Sequence, residues 1–217
     1  MTQQALNDWL RLKPDLNAVI SKRTVEPDLI SRLVDIIEND SGTIKFQCDK
    51  ILQELSLIHP ELVYPEFDRI ANHMASPKHF IQWGALITLS RLITVDGGKK
   101  FMRIYPEVLK LADSDSMITA ANAFKGHIAL ILVHPELVSD IVRHLIQCEN
   151  RTYLDKGEVS PECQAIMIGH VLDFFDQIVM SSPYKKDMIT FANRHLNNPR
   201  KKTAQKANAF LDRHKND

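Results

Sequence analysis

Four residues in the second half of the chain have the types and spacing of metal ligands. His144 and Cys148, four apart, fall on one face of a helix, and Cys163 and His170, seven apart, share a face of the next. Such nitrogen and sulfur sets can hold Zn²⁺. The same residue types also pack where two helices bury one another, and that is the reading taken here, so no metal and no cofactor are expected. Gly97-Gly98-Lys99-Lys100 has two lysines beside a helix start, but it lacks the spacing and the strand of a phosphate-binding loop. No H-E-x-x-H, C-x-x-C or G-x-S-x-G occurs. His59 and His134 each precede a proline, where an imidazole can cap the carbonyls of the helix just ended. Glu61, Glu66, Glu107, Glu136 and Glu162 sit in first turns, where a carboxylate favours the positive end of the helix dipole. None of these needs a catalytic role, and the sequence points away from an enzyme.

The elements that carry these residues are helices. There are only seven glycines in 217 residues, too few for a turn-rich β protein, and 44% of residues are hydrophobic. Lys+Arg and Asp+Glu are both 27, so no global field draws nucleic acid or an anionic membrane. The odd cysteine count (Cys48, Cys148, Cys163) reads as buried thiols in a reducing compartment, and a cytoplasmic location is expected. The start, MTQQALNDWLRLKPD, lacks a basic segment followed by an apolar run. The longest aliphatic stretch, 128–133, is far below the roughly 20 residues that span a bilayer, so no membrane is expected.

The pentapeptide HPELV occurs at His59–Val63 and again at His134–Val138, starts 75 positions apart. Ser41-Gly42, Ser76-Pro77, Asp113-Ser114, Ser160-Pro161 and Asn198-Pro199 each read as a capping residue opening a long apolar helix, at intervals of 35, 37, 47 and 38. A shorter amphipathic helix precedes each: 27–40, 65–76, 101–114, 135–150 and 184–198. The unit is helix A, turn, helix B, and HPELV is a joint between units. Trp83 is expected between neighbouring B helices, and its truncation to cost about 3–5 kcal/mol.

The period, the paired helices and turns such as NHMASPKHFIQWGALITLSRL resemble the HEAT family of the armadillo-like class. The resemblance implies an all-α fold: an α-solenoid of about five helix pairs (27–59, 60–96, 97–134, 135–182, 183–217) within one domain, 1–217. Residues 1–26 would form a cap in which Leu6, Trp9 and Leu10 cover the first pair. The family's B helices often carry an Asp and a basic residue near their start, and here only scattered cases such as Lys45 and Asp49 remain.

In HEAT-like arrays the B helices line the concave, binding surface. The positions opposite each apolar arc are Lys45, Asp49 and Gln53; Lys78 and Gln82; Asn122 and Lys125; Glu162, Asp173, Asp176 and Gln177; and Lys201, Gln205 and Asn208. Their mixed signs suit a protein partner better than a phosphate backbone. The expected function is a non-catalytic, monomeric scaffold that presents this face and the polar connection 149–159 to another protein. Residues 194–217 carry a net charge of +5, which reads as the outer face of a C-terminal cap or as a contact for nucleic acid. The alternative function comes from DNA glycosylases that act on alkylated bases, which are also HEAT-like and whose clefts combine basic, aromatic and carboxylate residues. Here Trp83 has Ile87 one turn later, where such a cleft would want a carboxylate.

Overall fold

A computed structural model describes residues 3–11, 27–39, 42–97, 99–179 and 183–214. The remainder of the expected cap (12–26), Ser41, Gly98, the end of the fourth pair (180–182), and Lys215 and Asp217 of the basic terminus lie outside the described residues. Among the described residues the chain is helical apart from one hairpin of two two-residue strands, and no helix there is long and apolar enough to cross a membrane. It divides into two compact units, Met1–Val108 and Leu109–Asp217.

The first unit contains α1 (Gln3–Arg11), α2 (Pro27–Asn39), α3 (Ile44–Ile58), the short α4 (Pro60–Val63) and α5 (Phe67–Asn72), and α6 (His79–Asp96). Single 3₁₀ turns, Tyr64–Glu66 and His73–Ala75, flank α5, so the expected helix 65–76 is broken into pieces. Helix α3 packs on α2, on α6 and on α1, where Leu6 and Leu10 are fully buried. Helix α6 is apolar on most sides because it is covered on more than one: Ile81, Leu86, Leu89 and Ile93 are all buried. Trp83 corrects its expectation. It is half-buried, stacked on His79 at 5.8 Å and edge-on to Phe80 at 5.2 Å, and Phe80 is 68% exposed. Truncation there leaves less of a cavity than assumed, so its cost falls below the expected range.

Asp96, buried at the last position of α6, ties the end of that helix to the start of the next. Its carboxylate accepts from the backbone N–H groups of Lys100 and Phe101, both at 2.9 Å, and from the Tyr64 hydroxyl at 2.6 Å. Gly97 follows in the left-handed conformation (φ 58°), and then α7 (Lys99–Ala112) begins, along which the division between units falls.

In the second unit α8 (Met117–Val133) packs against α10 (Pro161–Ile178), and α10 against α12 (Lys201–His214). Helix α9 (Val138–Ile146), flanked by 3₁₀ turns, and α11 (Lys185–Arg194) are the shorter partners. Phe175 and Phe191 meet edge-on at 5.5 Å in the core, both fully buried. The polar connection 149–159 is a hairpin, β1 (Leu154–Asp155) against β2 (Glu158–Val159), turning through Lys156 (φ 54°) and Gly157 (φ 86°). Its base is anchored inside the unit: Tyr153 is buried, the Leu154 N–H donates to the Asp115 carbonyl at 2.8 Å, and Arg151 donates to the Ala112 carbonyl at 3.1 Å. Residues 155–159 are exposed, as are Asn150 and Thr152 nearer the base.

Helix starts depart from the expected capping pairs in an instructive way. Ser160 does cap α10, accepting from the Cys163 N–H at 3.2 Å with Pro161 at the first position. For α8 the cap is Ser116, not Asp113. Ser76 and Asn198 accept from the N–H two residues on, Lys78 and Arg200, which makes them turns that precede the helix by three residues. The two HPELV joints have the same local geometry. His59 (φ −134°, ψ 59°) and His134 (φ −128°, ψ 70°) each donate a backbone N–H at 2.7 Å to the carbonyl four residues back. Their imidazoles do not cap carbonyls; Nδ1 lies 3.5 Å from Glu61 and 2.8 Å from Glu136 respectively.

Candidate functional site

Cationic side chains reach back to carboxylates of earlier segments. In the first unit Arg69 meets Asp35 at 2.6 Å, Glu38 at 2.5 Å and Glu66 at 3.0 Å, and these acids raise its pKa further. Lys100 and Arg103 meet Asp68 at 2.7 and 3.3 Å. In the second unit Arg151 and His144 meet Asp113, and Arg194 and His195 meet Glu149. Residues in and just before α12 repeat the device against α10. Arg200 pairs with Glu162 at 2.7 Å, Lys206 with Asp173, and Arg213 and His214 with Asp176 at 2.9 and 2.7 Å.

That ladder redraws the expected binding stripe. Glu162 is partnered by Arg200, just before α12, and Asp173 and Asp176 by α12 itself, so four cations of the basic terminus, Arg194, Arg200, Lys206 and Arg213, are matched by carboxylates. Ala207, Phe210 and Leu211 are buried beneath them. Lys45, Asp49 and Asn122 correct their expected place on the solvated stripe, since all three are buried. Gln82 donates to the Met74 carbonyl at 2.8 Å, and Lys78, Lys201 and Gln205 are exposed.

Asp49 is buried because α3 and α6 cross closely. A Cβ placed on Gly84 would stand 2.0 Å from its Oδ2, so glycine is what lets the carboxylate sit against the α6 backbone. Gln53 donates to Oδ2 at 2.7 Å. Desolvation outweighs that bond and pushes the carboxyl from its ordinary 3.8 up to about 7. Beside this crossing, Phe46, Phe80, Trp83 and His79 form a chain of ring contacts at 5.2–6.1 Å.

In the second unit α8 and α10 flank a groove of about 380 Å³. Ile118, Phe124, Ile128 and Phe174 give it an apolar lining; Asn122, Lys125, Asp173 and Gln177 supply polar groups. Those last four all belong to the stripe expected from sequence. Ile118, at the edge of the groove, is 46% exposed. Its signal was available: α8 is apolar on nearly every side, more than one neighbouring helix covers. His170 lines the same groove, its pKa lowered by desolvation and then by Lys206, with Lys125 and Arg200 adding to the effect against Asp173 alone.

Behind the groove lies a buried polar cluster. His127 is fully buried, stacked on His144 at 6.1 Å and bonded through Nδ1 to the Ala123 carbonyl at 3.2 Å; burial holds its pKa down at about 4. The same environment pushes the Cys148 thiol up to about 12, far from a reactive thiolate. The four candidate metal ligands separate accordingly. His144 turns to Asp113 and Arg151, and His170 to the groove. Among the described residues no three His, Cys, Asp or Glu side chains gather as a metal site would require.

No known protein family matches the chain, and neither a curated protein nor a solved structure is similar to it.

Proposed function

We propose that the chain is a non-catalytic protein-interaction module, a HEAT-like α-solenoid that docks a partner on its B-helix face. The observation that carries this reading is the groove on α8 and α10, where Lys125, Asp173 and Gln177 of the stripe meet an apolar lining with a half-exposed isoleucine at its rim. Apolar surface ringed by a few polar groups is the composition of a docking site. The solenoid arrangement draws support from the back-reaching ion pairs, which join residues 31–38 positions apart between Arg69 and Glu38, Lys100 and Asp68, Arg200 and Glu162, and Arg213 and Asp176, about one repeat. Affinity capture from native lysate, with and without nuclease, tests the reading when run beside Ile118→Glu. A nuclease-resistant protein retained by the parent and lost by a variant of unchanged circular dichroism supports it; capture indifferent to Ile118, or dependent on nucleic acid, refutes it.

One observation favours the DNA-repair alternative. Asp49, with a pKa near neutrality, lies against Gly84, the residue after Trp83, close to a run of aromatic rings. The matched charges of the basic terminus weigh the other way, because a duplex is held by cations available to phosphates. Binding to duplex DNA that falls steeply with added salt and is lost on Asp49→Asn or Trp83→Ala would favour it over the scaffold.

A further inference from the structure

Where the hairpin of the second unit meets its core, three polar atoms form a triangle. Arg151 Nη2 lies against Asp113 Oδ1, His144 Nε2 is 3.3 Å from that same Nη2, and Nε2 and Oδ1 are 3.4 Å apart. A guanidinium only donates, so the imidazole nitrogen facing Arg151 accepts, which fixes a neutral His144 with its proton on Nδ1. A proton added to Nε2 reverses the arrangement. The nitrogen becomes a donor facing a donor, and the acceptor within its reach is the Asp113 oxygen that Arg151 already holds.

Arg151 holds the base of the hairpin. Its Nη1 donates to the Ala112 carbonyl at 3.1 Å, Tyr153 is buried two residues on, and the Leu154 N–H reaches the Asp115 carbonyl at 2.8 Å. The hairpin is thereby fastened to the segment 112–115. The surroundings disfavour a second positive charge. His144 is stacked at 6.1 Å on fully buried His127; Arg151 and Asp113 act on His144, and His144 and Arg151 act on His127. Cys148 and Tyr153, also in the cluster, are pushed upward by burial and stay neutral in acid. Other charges near α9 have partners: Asp140 with Arg143, Glu136 with His134, Glu149 with Arg194 and His195. Burial, and then Arg151, hold the His144 pKa below its ordinary 6.5. We propose that the hairpin 151–159 is an acid-released latch, in which a proton on His144 transfers Asp113 from Arg151 to the imidazole and frees the hairpin from segment 112–115. Because the latched value is the lower one, the latch is intact above the ordinary value and is lost as pH falls through the depressed one. The latch needs no partner and stands apart from the docking reading.

Amide hydrogen exchange of the full chain, read residue by residue by NMR and expressed relative to an unstructured peptide at the same pH, tests the latch. Each pH unit over which only the released form holds the proton multiplies its population about tenfold. Protection of the Leu154 N–H should therefore fall about tenfold or more between about pH 7.5 and about pH 4.5, while amides in the middle of α12 stay better protected than Leu154 throughout. His144→Gln keeps an acceptor toward Arg151 and takes no proton, so it should remove the fall, whereas His127→Leu should leave it in place. His144→Lys, a permanent donor, should exchange at neutral pH as the parent does in acid; if that variant does not fold, His144→Gln decides alone. Leu154 protection indifferent to pH overturns the latch. So does a fall that survives His144→Gln or vanishes with His127→Leu. Amides of α12 that exchange as fast as Leu154 in acid overturn it too, because the opening is then global.

Discussion

Replacing Asp49 by asparagine should stabilise the first unit, by an amount that depends on pH. The folded-state pKa of about 7 stands roughly three pH units above the ordinary 3.8. At about 1.4 kcal/mol per unit, ionising this carboxyl costs the folded state on the order of 4 kcal/mol relative to the unfolded chain. Because the folded value is the higher one, the folded chain holds the proton more tightly. Its contribution is intact below the unfolded pKa and is lost as pH rises through about 7. Asparagine keeps an oxygen to accept from Gln53 and has no charge to bury. The parent should therefore be less stable than Asp49→Asn by about 2–4 kcal/mol near pH 8, the difference closing to within about 0.5 kcal/mol near pH 4. Both tryptophans, Trp9 and Trp83, belong to the first unit, so urea unfolding followed by their fluorescence reports it selectively. A variant less stable than the parent at pH 8 would refute the reasoning. That result would mean that a cation, with buried Lys45 one turn earlier the foremost candidate, holds Asp49 ionised. Stability offsets that do not change between the two pH values would refute it equally.

Gly84→Ala should cost about 1–3 kcal/mol by forcing its Cβ against the Asp49 carboxylate, and Asp49→Ala should recover most of that loss in a double-mutant cycle. Acidification should act on the second unit in the opposite sense to Asp49. His127 is held near 4 from an ordinary 6.5, so its contribution is present above 6.5 and is lost as pH falls toward 4, by about 3 kcal/mol. Hydrogen exchange in α8 and α9 should show that loss, and His127→Leu should flatten it. Asp96→Ala removes the acceptor for two backbone N–H groups and the Tyr64 hydroxyl, and should cost about 2–4 kcal/mol by chemical unfolding, with the start of α7 exchanging fastest.

Much of the architecture was legible because it follows from local rules. Spacings of three and four fixed which segments are helices, and proline after histidine fixed the two joints at 59–63 and 134–138, which adopt matching backbone angles. Helix starts were read two or three residues early, since a serine or asparagine before proline can close a turn as well as cap a helix. The groove was half legible. Asn122, Lys125, Asp173 and Gln177 follow from their place opposite the apolar arc, whereas the exposure of Ile118 depends on which neighbours cover α8.

The sequence by itself determined an all-helical chain with balanced charge, because periodicity, capping and composition act over a few residues. Only the tertiary structure decided which polar residues meet water. Asp49 is buried because a glycine 35 positions away lets two helices approach, and Glu162, Asp173 and Asp176 are occupied because cations 33 to 38 positions later, in and just before α12, turn toward them. Burial and ion pairing between distant segments depend on how helices cross, and a helical wheel drawn on one segment contains no partner to cross with.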